Sequence, residues 1–329
     1  MAGATAHPET AELVRAGGAH VPGLLSAIEE RLRASAGGHG PLLAEQAGLT
    51  IAAGGKRLRP LLVVLSAGRP TDPRAADAVL RAGAAIELVH SATLVHDDVL
   101  DGAALRRGRA TVVARSGRAM ATATGDLLFA RAFEELTGGG EPEAIKVLSR
   151  ASSALARGEL LQRADAWNPA VPLERYLRRC ELKTAVLFEA ACELGALAGG
   201  VSRAGLGTFG RRIGLAFQIL DDVLDVSGPQ ERTGKQPGAD LLDGTVTLPL
   251  IVARERDGEL GRIDLRSIAT AEQAARLCER IVATGALDAA RERALTLVAE
   301  AKADLPAGLD DERRTALELV ADGVVRRYS

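Results

Sequence analysis

The pentapeptide Asp-Asp-Val-Leu-Asp occurs twice in this chain, at residues 97–101 and again at residues 221–225. Each copy ends a run of apolar residues with helical spacing, so both copies are expected at the ends of helices. Residues four apart lie on one face of a helix, about 6 Å apart along its axis. Asp97 and Asp101 can therefore reach one cation, or two close together, and the outer aspartates of the second copy can do the same. Two such acidic helix faces directed at each other would hold several Mg²⁺ ions and a polyanion that the ions bridge, such as a diphosphate.

Helical patterning covers almost the whole chain of 329 residues. Asp72-Pro73 is typical of a helix start, and the apolar run that follows it continues to Leu100 and ends at Gly102. Comparable stretches cover about residues 24–33, 118–136, 142–164, 173–197 and 203–226. Strand-like alternation and short-period repeats are absent from the sequence. The pattern predicts an all-α fold, with one large helical domain at residues 23–329 after a flexible segment at residues 1–22.

Composition narrows the class of protein. Hydrophobic residues make up 47 % of the chain and aromatic residues only 2 %, so the core must consist mainly of Ala, Leu and Val. The net charge is −2 and no basic stripe alternates with aromatic residues, which argues against nucleic acid as a partner. The N-terminus lacks a signal-peptide pattern, and the longest aliphatic segment is far shorter than the ~20 residues of a membrane span. We therefore expect a cytoplasmic protein that does not span a membrane.

Basic segments accompany the two aspartate motifs, at residues 54–60, 106–108, 183–184 and 234–238. Only five of the 41 basic residues are lysines, and three of these five, Lys56, Lys183 and Lys235, lie in these segments. Mg²⁺ is commonly bound by one or two carboxylates together with substrate phosphates. Arginine and lysine can neutralise the phosphate charge that remains. The combination indicates a diphosphate site.

In this order, the motifs resemble those of the trans-isoprenyl (polyprenyl) diphosphate synthase family. The resemblance extends over about residues 54–249. The family's two aspartate-rich motifs match residues 94–108 and 217–225, and the segments 158–162, 183–184 and 240–249 also fit in order and spacing. The resemblance implies the isoprenoid synthase type of all-α bundle, built around a central cavity and usually homodimeric.

The resemblance also implies an activity and a set of roles. The protein would be a Mg²⁺-dependent prenyltransferase that condenses isopentenyl diphosphate with an allylic prenyl diphosphate. Three Mg²⁺ ions per active site would be held by Asp97, Asp101 and Asp221, and Asp225 would act through water or through neighbouring residues. The allylic diphosphate would contact Arg106, Lys183, Thr184, Gln218 and Lys235, with Lys183, Arg106 and Gln218 assigned to catalysis. Isopentenyl diphosphate would contact Lys56, Arg59, His90 and Arg107.

Two positions bear on substrate affinity and product length. The family usually has Gly-Lys before Thr-Leu-Pro, whereas this chain has Gly244-Thr245, which predicts weaker binding of the allylic substrate. Ala92 and Thr93 precede the first aspartate where short-chain members have bulky aromatic residues. These small residues would form a wall that lets the tail grow. We therefore expect an all-trans product of C30 or longer, with geranylgeranyl diphosphate (C20) as the alternative.

Two other functions are alternatives to chain elongation. A terpene cyclase of the same fold would not need the basic segment at residues 54–60. A partner subunit of a heteromeric prenyl synthase would tend to lose the aspartates, and this chain keeps all six. Thr245, which replaces the usual lysine, is the feature that favours the partner-subunit interpretation. Homodimer against heteromer, and release of the product at a membrane surface, stay open.

Overall fold

The computed structural model describes residues 8–37, 40–52, 55, 57–106, 108–228 and 237–326, and helices account for most of them. The helices before residue 170 are α1 (Pro8–Ala16), α2 (Val21–Gly37), α3 (Pro41–Ala52), α4 (Leu58–Ala67), α5 (Pro73–Leu100), α6 (Val112–Thr137) and α7 (Pro142–Asp165). Those that follow are α8 (Leu173–Cys180), a π-helix (Glu181–Ala185), α9 (Val186–Ala198), α10 (Ala204–Ser227), α11 (Ala239–Leu242), α12 (Leu248–Arg256), α13 (Ala271–Ala283), α14 (Ala286–Ala303) and α15 (Asp311–Arg326). Two 3₁₀ turns, Leu260–Arg262 and Leu265–Ser267, follow α12. The predicted all-α fold class is confirmed.

A short hairpin interrupts the helices. Strand β1 (Leu105–Arg106) pairs antiparallel with β2 (Arg109–Ala110), with Arg106 opposite Arg109. The sequence indicated that the helical run ends at Gly102 but did not predict the strands of this hairpin.

Contacts within the chain divide it into two compact units. The first unit comprises residues 1–152, 187–210 and 305–320, and the second comprises residues 153–186, 211–304 and 321–329. Asp97 therefore belongs to the first unit and Asp221 to the second. The single domain at residues 23–329 and the flexible segment at residues 1–22 stay predictions. Helix α1 lies within that segment, and Leu13 at its centre is buried.

Helix α5 is the central helix of the first unit. Asp72 caps its start, because the Asp72 carboxylate accepts hydrogen bonds of 2.8 and 2.9 Å from the N–H groups of Arg74 and Ala75. Among the described residues, α5 is the one helix whose length and composition would suffice to cross a membrane. In its most apolar stretch, however, 67 % of the residues are buried inside the protein, as is usual for a core helix. This buried helix carries His90, Ala92 and Asp97 to their places.

Candidate active site

The first aspartate motif lies at the C-terminal end of α5. The Asp101 N–H donates a 2.8 Å hydrogen bond to the Asp97 carbonyl oxygen, so the two side chains lie one closed helical turn apart. Asp97 is half-buried and Asp101 is exposed. Asp98 is different: it is only 6 % exposed, and Arg106 Nε donates a 2.7 Å hydrogen bond to its carboxylate. Asp98 thus fixes the hairpin against the end of α5, while Asp97 and Asp101 keep their access to solvent.

Arg106 can bind Asp98 and a diphosphate at the same time. Its Nε holds Asp98 from strand β1, and its side chain is 31 % exposed. A guanidinium has five N–H donors in a planar fork, so Arg106 can bind Asp98 and still donate to a diphosphate. Arg107 and Lys56, predicted to bind isopentenyl diphosphate, lie outside the described residues, as does Lys235, predicted to bind the allylic diphosphate.

Two residues assigned to isopentenyl diphosphate lie in the first unit. The Arg59 guanidinium carbon stands 4.7 Å from the centre of the Phe188 ring, a cation–π distance, and Phe188 is fully buried. This contact fixes the direction of the Arg59 side chain. His90 is half-buried on α5, two helical turns before Asp97 and therefore on the same face of the helix.

The second aspartate motif lies near the C-terminal end of α10 and repeats the pattern of the first. Asp221 is exposed, whereas Asp222 is 4 % exposed. Tyr176 donates its O–H to one oxygen of Asp222 at 2.7 Å, and Gln218 Nε2 donates to the other at 2.7 Å. Burial raises the pKa of Asp222 well above its usual value, although both donors lower it. In both copies the second aspartate is therefore buried against a structural partner.

Asp225, the last aspartate of the second motif, differs from its counterpart Asp101. It is half-buried, and its carboxylate accepts a 3.2 Å hydrogen bond from the Asp240 N–H at the start of α11. Its carbonyl oxygen accepts a second bond, of 2.8 Å, from the Gly238 N–H. Asp225 thus joins α10 to the start of α11, whereas Asp221 is exposed.

The π-helix carries both Lys183 and Thr184. The Thr184 hydroxyl donates a 2.6 Å hydrogen bond to Gln218 Oε1, which extends the Tyr176–Asp222–Gln218 chain to the π-helix. Lys183 Nζ lies 2.5 Å from a carboxylate oxygen of Glu159 on α7. Burial opposes ionisation of Glu159, but Lys183 and Arg163 outweigh it, and the pKa of Glu159 lies below its usual value. Single-turn π-helices inside α-helices are frequent at functional sites.

Gly158 explains why α7 can approach the π-helix so closely. A Cβ atom at this position would lie 2.6 Å from the Lys183 backbone nitrogen and 2.9 Å from the Leu182 carbonyl carbon. Backbone atoms cannot yield as a flexible side chain can, so residue 158 must lack a side chain. The glycine places the neighbouring Glu159 within reach of Lys183.

Sequence reasoning missed several of these residues. Glu159 was not among the predicted site residues, yet it contacts Lys183. Tyr176 is fully buried in the core and contacts Asp222, the neighbour of the predicted metal ligand Asp221. A helix-face argument could have found Tyr176, which lies seven residues before Lys183. The resemblance assigned Asp97 and Asp221 to metal binding, but nothing in the sequence indicated that Asp98 and Asp222 would be buried against Arg106 and Tyr176.

The outward carboxylates suit a hard divalent cation. Among the described residues, no three His, Cys, Asp or Glu side chains come together as a complete metal site. Mg²⁺ needs no such cage, because it is usually bound by one or two carboxylates together with waters and substrate phosphates. Within the first unit, Asp97 and Asp101 therefore suit Mg²⁺ in the presence of a diphosphate, and within the second unit Asp221 does so as well.

The fold and the two motifs define a class, namely all-α enzymes that act on prenyl diphosphates. Residues 41–284 match the model of the family described as Polyprenyl synthetase. The chain belongs to this family of polyprenyl diphosphate synthases, and it is a prenyltransferase.

Individual relatives agree with the family. The chain is 46 % identical over 237 residues to heptaprenyl diphosphate synthase component 2 of Geobacillus stearothermophilus. The matched region covers 70 % of this chain and 72 % of that protein. It superimposes on a decaprenyl diphosphate synthase of Rhodobacter capsulatus with a TM-score of 0.88 and 32 % identity, over 97 % and 99 % of the two chains. It also superimposes on a polyprenyl synthase of Caulobacter crescentus CB15, complexed with calcium and isoprenyl diphosphate, with a TM-score of 0.86 and 37 % identity, over 97 % and 98 %.

Proposed function

We propose that this protein is a Mg²⁺-dependent enzyme that elongates an allylic diphosphate with isopentenyl diphosphate to an all-trans product of C30 or longer. The observation that carries the proposal is the shared arrangement of the two aspartate motifs. In each motif the first aspartate is accessible to solvent, Asp97 half-buried and Asp221 exposed, and the second is buried against a partner that fixes it. The relative from Caulobacter crescentus binds calcium and isoprenyl diphosphate, which supports a divalent cation and a prenyl substrate here.

The proposed reaction begins with loss of the diphosphate from the allylic substrate. Asp97, Asp101 and Asp221 would hold Mg²⁺, which when bound would neutralise diphosphate charge and improve the leaving group. Lys183 and Arg106 would stabilise the charge that develops on the departing diphosphate. Gln218 and Thr184, fixed by their mutual hydrogen bond of 2.6 Å, would contact the same group.

Ionisation breaks the allylic C–O bond and leaves a carbocation. The double bond of isopentenyl diphosphate attacks this cation and forms the new C–C bond. The proton that is then lost passes to the departed diphosphate, so no protein base is needed. Apolar walls would exclude water from the cation.

Product length rests on different observations. Ala92 is fully buried, and the Thr93 hydroxyl donates a 2.8 Å hydrogen bond to the His90 carbonyl oxygen of its own helix. Neither side chain is bulky, which supports a long product. Relatives named for heptaprenyl and decaprenyl products favour C30 or longer, whereas a relative named geranylgeranyl diphosphate synthase keeps C20 as the alternative.

A second candidate function follows from one relative's name. Heptaprenyl diphosphate synthase component 2 is named as one component of an enzyme, so this chain could be the subunit of a heteromer. In that case the purified chain alone would not elongate any primer. A homodimer, by contrast, would be active alone.

The deciding experiment is elongation by the purified chain. The protein is incubated with Mg²⁺, isopentenyl diphosphate and allylic diphosphates from C5 to C20, and the products are sized by mass spectrometry. We expect chains of C30 or longer, and loss of product in Asp97→Asn and Asp221→Asn. Asp288→Asn, at an exposed aspartate paired with Arg291, is the matched control and should elongate normally. Absence of product with every primer would overturn the proposal for the chain acting alone.

A further inference from the structure

Arg57 adopts a backbone conformation that is uncommon for its residue type. Its φ of 47° and ψ of 38° lie in the left-handed region, directly before α4 begins at Leu58. Side chains with a Cβ atom rarely occupy this region, and such a conformation persists where surrounding contacts over-determine it. The contacts of the Arg57 side chain are therefore expected to hold the backbone.

The Arg57 guanidinium joins three helices to the start of α4. It binds Glu29 of α2 through both Nε and one terminal nitrogen. Its terminal nitrogens also donate to Glu87 of α5 at 2.7 Å and to the carbonyl oxygen of Ile51, near the end of α3, at 2.8 Å. All of these groups belong to the first unit.

The ion pair between Arg57 and Glu87 is largely buried. The Glu87 side chain is 6 % exposed and the Arg57 side chain 17 %. Burial disfavours the charged form of Arg57, but Glu87 and Glu29 outweigh it, and the pKa of Arg57 lies above its usual value. Removing one partner of a buried ion pair leaves an uncompensated charge. Loss of either Arg57 or Glu87 would therefore leave the other charge buried without its partner in this ion pair.

The ion pair between Arg57 and Glu87 lies close in sequence to two predicted site residues. Arg57 lies two residues before Arg59, and Glu87 lies one helical turn before His90 on α5. The pair thus ties the segment that carries Arg59 to the helix that carries His90. Arg59 and His90 are predicted to bind isopentenyl diphosphate, whereas the side chains of Arg57 and Glu87 bind each other.

We propose that Arg57 is a positioning residue that fixes Arg59 relative to His90 and so sets the affinity for isopentenyl diphosphate. This inference rests on the proposed function. Arg57 acts through the residues beside it, so its loss should weaken binding of isopentenyl diphosphate and leave binding of the allylic diphosphate unchanged. A residue that only stabilises the fold would affect neither affinity selectively.

Calorimetry of isopentenyl diphosphate binding tests the inference without turnover. For Arg57→Gln we expect a dissociation constant raised by at least about 10-fold, because small displacements of binding groups are costly. Arg57→Lys should restore only part of the affinity, because lysine lacks the planar fork. Arg57→Gly relieves the left-handed backbone but removes the guanidinium, so it should behave like Arg57→Gln. If Arg57→Gln leaves a buried charge that prevents folding, the Arg57→Gln, Glu87→Gln double variant removes both charges and should bind equally weakly.

Arg31 offers a matched control in the same unit. Its guanidinium also bridges two carboxylates, at 2.6 Å to Glu135 and 3.0 Å to Asp77, and its side chain is 24 % exposed. Arg31→Gln should lower the melting temperature and leave the affinity for isopentenyl diphosphate unchanged. The inference is overturned if Arg57→Gln binds isopentenyl diphosphate as tightly as Arg31→Gln does, or if the wild-type protein does not bind it. A wild-type protein that binds isopentenyl diphosphate but elongates no primer would count against the proposed function alone.

Discussion

The phenolic O–H of Tyr176 donates a 2.7 Å hydrogen bond to Asp222, and both residues are buried in the second unit. Asp222 is the second aspartate of its motif, next to the outward-facing Asp221. The same carboxylate accepts a bond from Gln218, and Gln218 in turn accepts one from Thr184. Tyr176 of α8 thus orients the second aspartate motif by binding Asp222, the residue next to the predicted metal ligand Asp221.

Tyr176→Phe removes this donor and little else. One oxygen of the buried Asp222 then lacks its partner, which should lower the free energy of unfolding by about 1–3 kcal/mol. We also expect a slower elongation rate, because Gln218 and Thr184 lose a fixed neighbour. Urea unfolding and initial rates measure the two effects. An unchanged unfolding free energy would show that the hydrogen bond does not stabilise the fold.

Lys183 is expected to act on the allylic diphosphate. Lys183→Gln should lower kcat roughly 100-fold, as removal of one group that stabilises developing charge commonly does. Lys302→Gln is the matched control, because Lys302 also lies 2.5 Å from a carboxylate, that of Asp322, in the same unit. The control should keep its elongation rate. Equal rates for the two variants would remove Lys183 from the catalytic groups.

Gly158→Ala tests the close approach of α7 to the π-helix. Because the added Cβ would meet backbone atoms of Lys183 and Leu182, the variant should lose roughly 1–3 kcal/mol of stability. Gly48→Ala is the matched control in α3, where a Cβ would meet nothing within 4 Å. Since alanine favours helix over glycine, the control should gain up to about 1 kcal/mol. Thermal unfolding of both variants measures the two changes in stability. If Gly158→Ala is no less stable than Gly48→Ala, the close approach at Gly158 does not constrain residue 158.

Much of this fold could be predicted from local sequence signals. Asp72-Pro73 predicted the start of α5, because capping involves N–H groups only two and three residues away. The orientation of the aspartates depends on distant partners instead. Asp222 is buried because Tyr176, from an earlier helix, reaches it, and no local pattern contains that contact. The close approach of α7 to the π-helix likewise depends on Gly158, which is more than 20 residues away in the sequence.

Thr245 stands where the family usually has a lysine. It is half-buried and follows Gly244, whose φ of 69° and close contact with the Trp167 ring fix the turn. Thr245→Lys should lower the KM for the allylic diphosphate about fivefold, which corresponds to roughly 1 kcal/mol. Thr296→Lys, at an exposed position of α14, adds the same charge elsewhere and should leave this KM unchanged. No fall in KM for Thr245→Lys would show that the departure from the family pattern is neutral.

Product length is predicted to depend on the small residues before Asp97. Ala92→Phe should shorten the products, because a bulky ring on α5 would occupy space that the growing tail needs. Ala92 is fully buried, so the ring must displace its neighbours, and the melting temperature should fall as well. Ala119→Phe adds a ring at an exposed position of α6 and is the control for the substitution itself. Products of both variants are sized after incubation with isopentenyl diphosphate and a C15 primer. If Ala92→Phe folds and elongates but yields the wild-type range of products, Ala92 is not part of the wall that limits the chain.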